Sequence, residues 1–285
     1  MANVKLIKRR IKSAENISQI TKAMEMVAAS KMKKAQARAL NSKPYADKIN
    51  QAVKILAQNV NRRDNPLLGN GNPNGITLYI LISTNKGLCG GLNTNLFRYL
   101  MNKVNRENNL EFISIGKKGV NFILRWNKKL LADFSESSPF LDCVPAVTKL
   151  ITEDFINGKL AEVVLVYNNF ISALRQEPYD KKILPIGKID KADTSEIEKF
   201  NEFVLEPSGG EVLNSLLPHY LENQIRSAIY EAEASEHSAR MMAMKNASDA
   251  ANDLIGGLTL LYNKARQEKI TYEISDIVTA RLSIN

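Results

Sequence analysis

Two long stripes of apolar residues bracket the chain. From Leu213 onward they recur at spacings of three and four, through Leu221, Ile225, Ala228, Ala232, Ala239, Ala243, Leu254, Leu258, Leu261, Ala265, Ile270, Ile274 and Ile277. That period predicts one amphipathic helix, with Pro218 its only strong breaker. Ser208-Gly209-Gly210-Glu211 has the form of a capping box, so the helix is expected to begin there. Sixty or more helical residues span roughly 90 Å, whereas a compact globule of this length has a radius of gyration of about 19 Å. Such a helix is expected to protrude and to need a partner. The first sixty residues supply a second stripe: Ile7, Ile11, Ala14, Ile17, Ile20, Met24, Val27, Ala28, Met32, Ala35, Ala39, Ile49, Val53, Leu56 and Val60. It re-registers several times, which suits a coiled coil with stutters better than one strict heptad. Pro44, behind Ser42, predicts a kink or a restart. The two ends of the chain are expected to pair with each other.

Between them the period changes. Asn61–Gly75 is dense in Asn, Gly and Pro and reads as a linker. Ile76–Ser83 is a near-continuous apolar run of strand length, as expected of a strand buried on both faces. A Gly-rich loop, Thr84–Asn93, leads to a helix over Thr94–Glu107. Strands are predicted at Glu111–Ile115, Leu130–Phe134 and Ala161–Asn168, helices at Lys117–Asn127 and Pro145–Asn157, and an edge strand at Tyr179–Ile186. Gly187–Lys199 reads as loop or short helix, and Glu202–Leu205 as extended chain. The alternation implies a mostly parallel sheet with helices on its faces. The expected fold is an α/β central Rossmann-like domain plus a long antiparallel coiled coil formed by the N- and C-terminal helices. Its divisions are residues 1–60, a linker at 61–75, the α/β domain at 76–207 and the C-terminal helix at 208–285.

Composition sharpens that division. All nine Phe and the single Trp lie between Phe97 and Phe203; bulky rings belong to a globular core, and Ala, Ser and Met to closely approaching helices. The formal charge of +9 is uneven as well: residues 1–63 hold fifteen Lys and Arg against three Asp and Glu. Runs such as Lys8-Arg9-Arg10-Ile11-Lys12 suit nucleic acid, an anionic membrane, an acidic protein surface or simply a solvated helix face. Neither a signal-peptide segment nor an uncharged run near eighteen residues is present, so a soluble intracellular product is expected. Cys89 and Cys143 have no CxxC spacing and make no disulfide framework.

Catalytic chemistry is poorly provided for. Gly87-Leu88-Cys89-Gly90-Gly91 follows a buried strand, yet it lacks the spacing and the Lys-Ser/Thr of a phosphate loop and is no dinucleotide fingerprint. Gly116-Lys117-Lys118-Gly119 reads as a strand–helix connection, with a phosphate site the sharper alternative. His219 and His237 stand eighteen residues apart on one helix, and Glu231, Glu233 and Glu236 read as solvent-facing or salt-bridged. No catalytic residue, metal ligand or cofactor is assigned.

Four stretches carry a resemblance: Ile20-Thr-Lys-Ala-Met-Glu-Met-Val-Ala-Ala-Ser-Lys-Met32, Ser83-Thr-Asn-Lys-Gly-Leu-Cys-Gly-Gly-Leu-Asn93, Ala239-Arg-Met-Met-Ala-Met-Lys-Asn-Ala247, and Tyr262-Asn-Lys-Ala-Arg-Gln267 with Ile270-Thr271. In order and spacing they resemble the gamma subunit of the F-type ATP synthase. The resemblance implies a non-catalytic rotor shaft. Its paired terminal helices would pass through a ring of three alpha and three beta subunits, and its central domain would stand as a foot on the membrane c ring beside the epsilon subunit. Such a subunit is peripheral, on the cytoplasmic face of a bacterial inner membrane, and couples proton flow to ATP synthesis. By position, the family's contacts with the alpha/beta ring fall at Lys22, Met24, Arg240, Gln267 and Thr271. Those of the foot with the c ring and epsilon fall at Phe203, Leu205 and Glu206. The competing reading is a basic coiled-coil protein that binds nucleic acid, with steeply salt-dependent affinity.

Overall fold

A computed structural model describes residues 4–59, 65–69, 71–104, 109–186, 206 and 208–282. The chain forms two compact units, one of residues Ser30–Ala239 and one of Met1–Ala29 with Arg240–Asn285. The two longest helices, α1 (Val4–Asn59) and α5 (Gly209–Leu282), contribute to both. Both run through their prolines, Pro44 and Pro218, as single α-helices, so the expected restart at Pro44 does not occur. The Ser208 hydroxyl accepts the Glu211 N–H at 3.3 Å, which fixes the start of α5 where the capping residues predict it.

The larger unit is built on a five-stranded sheet: β1 (Ile76–Ile82), β2 (Leu110–Ile115), β3 (Lys129–Asp133), β4 (Leu160–Phe170) and β5 (Gln176–Leu184). Their order is β3-β2-β1-β4-β5. All neighbours are parallel except β4 and β5, which gives a Rossmann-like half with an antiparallel edge. The central strands are predominantly apolar because both faces are covered. On one face Leu78, Ile80 and Ile82 of β1 meet α4 (Val144–Ile156), the Ile49–Ala57 stretch of α1 and the Leu213–Ile229 stretch of α5. On the other, Tyr79 and Leu81 meet α2 (Leu92–Val104) and Ile123 of α3 (Lys117–Arg125). Leu213, Leu217, Leu221, Ile225 and Ile229 are wholly buried, each contributing about 1.5–3 kcal/mol of transfer free energy. This part of α5 is therefore core of the sheet unit.

Most element boundaries differ from expectation by one or two residues, and two starts stand out. The helix after the Gly-rich loop begins at Leu92, two residues early. Strand β5 begins at Gln176, three residues early, and includes Pro178. An edge strand tolerates proline because its outer row of N–H groups needs no ladder partner. The expected structure of 187–199 and 202–205 lies outside the described residues.

In the smaller unit the N-terminal part of α1 runs antiparallel to the C-terminal part of α5, and Ser18 Oγ donates to Asn252 Oδ1 at 2.8 Å. The seam on α1 is a strict heptad. Its residues Val4, Ile7, Ile11, Ala14, Ser18, Thr21, Glu25 and Ala28 are buried or half-buried, alternately three and four apart, with Met24 and Ala29 half-buried beside them. The same phase continues along α1 through Met32, Ala35, Ala39, Ser42, Ala46 and Ile49. The α5 seam is equally regular: Met244, Ser248, Ala251, Ile255, Leu258, Tyr262 and Ala265. The expected stutters are thus absent. They came from counting Ile17, Ile20 and Val27, which stand exposed at 53, 60 and 56%, while Ser18 and Thr21 occupy the seam. Likewise Leu254 and Leu261 are exposed, and beyond Ala265 every described α5 side chain is exposed, including Ile270, Ile274 and Ile277. Within this unit α1 covers α5 only as far as Ala265.

Candidate functional site

In an open α/β sheet a ligand binds beyond the strand ends where the strand order reverses, here between β1 and β4. The chain occupies that place itself. Ser83, Thr84 and Asn168 at the strand ends are met by Ala232, Glu233 and Glu236 of α5, leaving a cavity of about 10 Å³, room for about one water molecule. The Gly-rich loop is bound up internally. Asn93 Nδ2 donates to Thr84 Oγ1 at 2.7 Å and to Cys89 Sγ at 3.4 Å, and Thr84 Oγ1 donates to the Lys86 carbonyl at 2.8 Å. Leu88 and Gly90 take left-handed backbone conformations to close it.

The Gly116–Gly119 turn is equally self-contained. At the start of α3 the N–H groups of Lys117, Lys118 and Gly119 donate to Asn85 Oδ1, the Thr84 carbonyl and Ser83 Oγ at 2.9, 3.1 and 2.8 Å. An anion at a helix N-terminus needs those donors, and here they are taken. The strand–helix reading therefore holds and the phosphate alternative does not.

Of the two expectations for Glu231 and Glu233, solvent-facing or salt-bridged, the first does not hold: both are half-buried, and each feels a nearby cation. Burial raises the Glu231 carboxyl above the ordinary carboxylate range, opposed by hydrogen bonds with Tyr167 and Ser227 and by the charge of Lys181. Burial also raises Glu233, against the pull of Arg38 and with the push of Glu236. Tyr167 in turn is raised by burial and by Glu231. Among the described residues no group of three His, Cys, Asp or Glu side chains is arranged to hold a metal ion. His219 lies 3.9 Å from Glu222 on the outside of α5. Both cysteines are buried, and burial pushes the Cys143 thiol up to about 11.

What the smaller unit offers is surface. Lys22 is exposed and paired with Glu25 at 3.1 Å, and it lines a shallow groove with Ser18, Met26, Ser248 and Asp249. Met24 and Arg240 are half-buried. Gln267 and Thr271 are exposed one turn apart, the Thr271 hydroxyl donating to the Gln267 carbonyl at 3.0 Å. Glu206 is exposed; Phe203 and Leu205 lie outside the described residues. The structure thus brings Gln267 and Thr271 together, and it adds apolar neighbours that sequence reasoning assigned to the seam or passed over: Ile17, Ile20, Met26 and Val27 on α1, and Leu260, Ile270, Tyr272, Ile274, Ile277 and Val278 on α5, all between 46 and 74% exposed. The signal that finds them is being apolar and out of heptad phase. No described helix is long and apolar enough to cross a membrane.

Comparison with known proteins gives this surface a context. A family model described as ATP synthase matches residues 3–283. An ATP synthase gamma chain of Dehalococcoides mccartyi strain BAV1 is 41% identical over 98% of each chain, and one of Janthinobacterium sp. strain Marseille is 40% identical over the full length of both. Among solved structures, a chain of the OSCP/F1/c-ring assembly of Euglena gracilis mitochondrial ATP synthase has a TM-score of 0.70 at 19% identity, covering 99% of this chain and 94% of that one. A chain from the central stalk/c-ring of Tetrahymena thermophila mitochondrial ATP synthase has a TM-score of 0.57 at 23% identity, covering 80% and 99%.

Proposed function

The chain belongs to the ATP synthase gamma chain family, and from that membership we propose that it is a non-catalytic rotor shaft which couples proton flow through a membrane c ring to ATP synthesis and hydrolysis in a ring of three alpha and three beta subunits. The nucleic-acid-binding alternative finds no support: the relatives that match over the whole chain are ATP synthase gamma chains.

The observation that carries the reading is the apolar surface of the smaller unit. A helix end with Ile270, Ile274 and Ile277 in water is costly unless other protein surrounds it. The exposed groups are asymmetrically placed, so three identical stator subunits around them would meet different contacts, and each would be biased toward a different nucleotide affinity by that difference. The filled crevice of the sheet unit agrees with a part that carries no chemistry of its own. In this reading Lys22, Met24, Arg240, Gln267 and Thr271 face the alpha/beta ring. Residues 76–207 form the foot on the c ring and epsilon subunit, with Phe203, Leu205 and Glu206 at that contact, while 1–60 and 208–285 form the shaft. The site of action is the cytoplasmic face of the bacterial inner membrane, reached through the complex.

The deciding experiment is Met24→Lys in the membrane-bound complex. ATP hydrolysis is expected to persist while ATP-driven proton pumping falls. Wild-type pumping per ATP would remove Met24 from the coupling surface, and failure of the wild-type chain to co-purify with a multisubunit ATPase would remove the whole reading.

A further inference from the structure

A shaft transmits torque only if its foot cannot slip around it; interdigitated apolar side chains resist that sterically, and hydrogen bonds, being directional, add a resistance specific to one rotational phase. We propose that Ser235 and Ser238 of α5, with Glu231 one turn before them, form a polar clamp that fixes the rotational phase of α5 in the sheet unit. The proposal rests on the rotor-shaft reading and adds the residues that lock shaft to foot.

All the groups lie within the Ser30–Ala239 unit. Ser235 Oγ donates to the Asn168 carbonyl at 2.9 Å and Ser238 Oγ to the Ala173 carbonyl at 2.6 Å. Gln176 Nε2 donates to Ser238 Oγ at 3.3 Å and also reaches the Ala173 carbonyl at 3.2 Å. Glu231 is hydrogen-bonded to Tyr167. Both serines are 0% exposed, unusual for a residue type that mostly lies at the surface. Their acceptors belong to the end of β4 and its turn into β5. Opposite Asn168 on the edge strand stands Pro178. The turn is itself braced: Ser172 Oγ accepts the Leu174 and Arg175 N–H groups, and the Ile171 N–H donates to the Arg175 carbonyl. The socket is therefore built, and the helix presents short side chains with little rotamer freedom into it.

Geometry makes the clamp sensitive to twist. Residues 231, 235 and 238 fall within roughly 100° of the helix circumference, with their polar atoms about 5 Å from its axis. Turning α5 by about 30° moves each hydroxyl about 2.6 Å, enough to take a bond of ordinary length beyond hydrogen-bonding distance even where the motion runs across the bond. Moving the helix along its axis by a similar amount breaks the same bonds.

The test uses the complete ATP synthase complex with the alpha/beta ring immobilised and a reporter on the foot, whose angular fluctuation is recorded in the stalled state. In the Ser235→Ala/Ser238→Ala double variant, angular variance is expected to rise up to about threefold if three polar grips act independently and two are lost. Proton pumping per ATP hydrolysed should fall, while hydrolysis by the detached alpha/beta/gamma part is unchanged. Amide exchange over residues 228–239 should quicken by about fivefold for each hydroxyl removed. Ser235→Cys replaces a strong donor by a weak one and brings a larger sulfur atom, so it should not restore the wild-type variance. Wild-type variance in the double variant, or full rescue by cysteine, overturns the clamp and leaves the shaft reading standing. A wild-type foot that does not turn during hydrolysis overturns the shaft reading, and the clamp with it.

Discussion

The same substitution at two places on α5 should give opposite signatures. Ile225 is wholly buried in the core of the sheet unit, and Ile274 is 56% exposed in the smaller unit. Ile225→Ala removes three carbon atoms from a site closed by neighbouring helices and strands. It loses their transfer free energy and leaves a cavity, about 2–5 kcal/mol in all. Ile274→Ala removes atoms that are already half in water and leaves no cavity, so the isolated chain should change by less than about 0.5 kcal/mol. In the complex the order reverses if α5 turns inside other subunits: Ile274→Ala alters ATP hydrolysis or its coupling, while Ile225→Ala lowers the amount of assembled complex without altering turnover per complex. Urea unfolding of the purified chain supplies the first comparison, and hydrolysis and proton pumping by membrane vesicles the second. A loss above about 2 kcal/mol for Ile274→Ala in the isolated chain would mean that the end of α5 is packed, and the bearing argument would go.

Two further predictions concern the sheet unit. Gly116 has a φ of +108°, and a Cβ added there would overlap the Ser83 carbonyl and stand 2.8 Å from Ser83 Oγ, so Gly116→Ala should cost at least the roughly 1–3 kcal/mol of a strained backbone. An unchanged urea midpoint would contradict that close approach. Glu233 has a folded-state carboxyl raised above its ordinary range by burial, so the folded state binds a proton that the unfolded state has released. The resulting contribution to stability is fully present below the unfolded-state carboxyl value and is lost as pH rises through the raised folded-state value. Glu233→Gln should therefore gain stability relative to wild type as pH rises from the ordinary carboxylate range through the raised Glu233 value, read as the difference between their urea midpoints; a difference that shrinks or stays flat refutes the burial.

The parts of this fold that could be read from sequence are those where one local period decides the structure. Ile76–Ser83 is apolar at every position but two, and only a strand covered on both faces tolerates that; Leu78 and Tyr79 indeed enter different clusters. The helix start at Ser208 was legible because a hydroxyl three residues before a Glu has a local meaning. Strand β5 was placed three residues late because Gln176, Glu177 and Pro178 argue against a strand in isolation, and only their position on the sheet edge permits one.

The seam of the coiled coil was harder to read for a physical reason. Hydrophobicity ranks Ile17 and Ile20 above Ser18 and Thr21, but a seam where backbones approach closely selects for size before polarity, and the Thr21 hydroxyl satisfies itself on the Ile17 and Ser18 carbonyls. At these positions small residues hold the heptad phase, beside Ile7, Ile11, Ile255 and Leu258 elsewhere in the seam, and Ile17 and Ile20 are displaced to the outside. That displacement links the packing to the function, because a helix pair that buried its large side chains against itself would keep little apolar surface for the subunits around it. Exposed Ile17 and Ile20 are the counterpart of buried Ser18 and Thr21, just as exposed Leu254 and Leu261 are the counterpart of buried Ser248 and Ala251. The filled crevice between β1 and β4 follows the same logic in the other unit. There a helix that begins more than a hundred residues after β1 brings Ala232, Glu233 and Glu236 to the strand ends, a placement that no local period encodes, and a binding site becomes a joint.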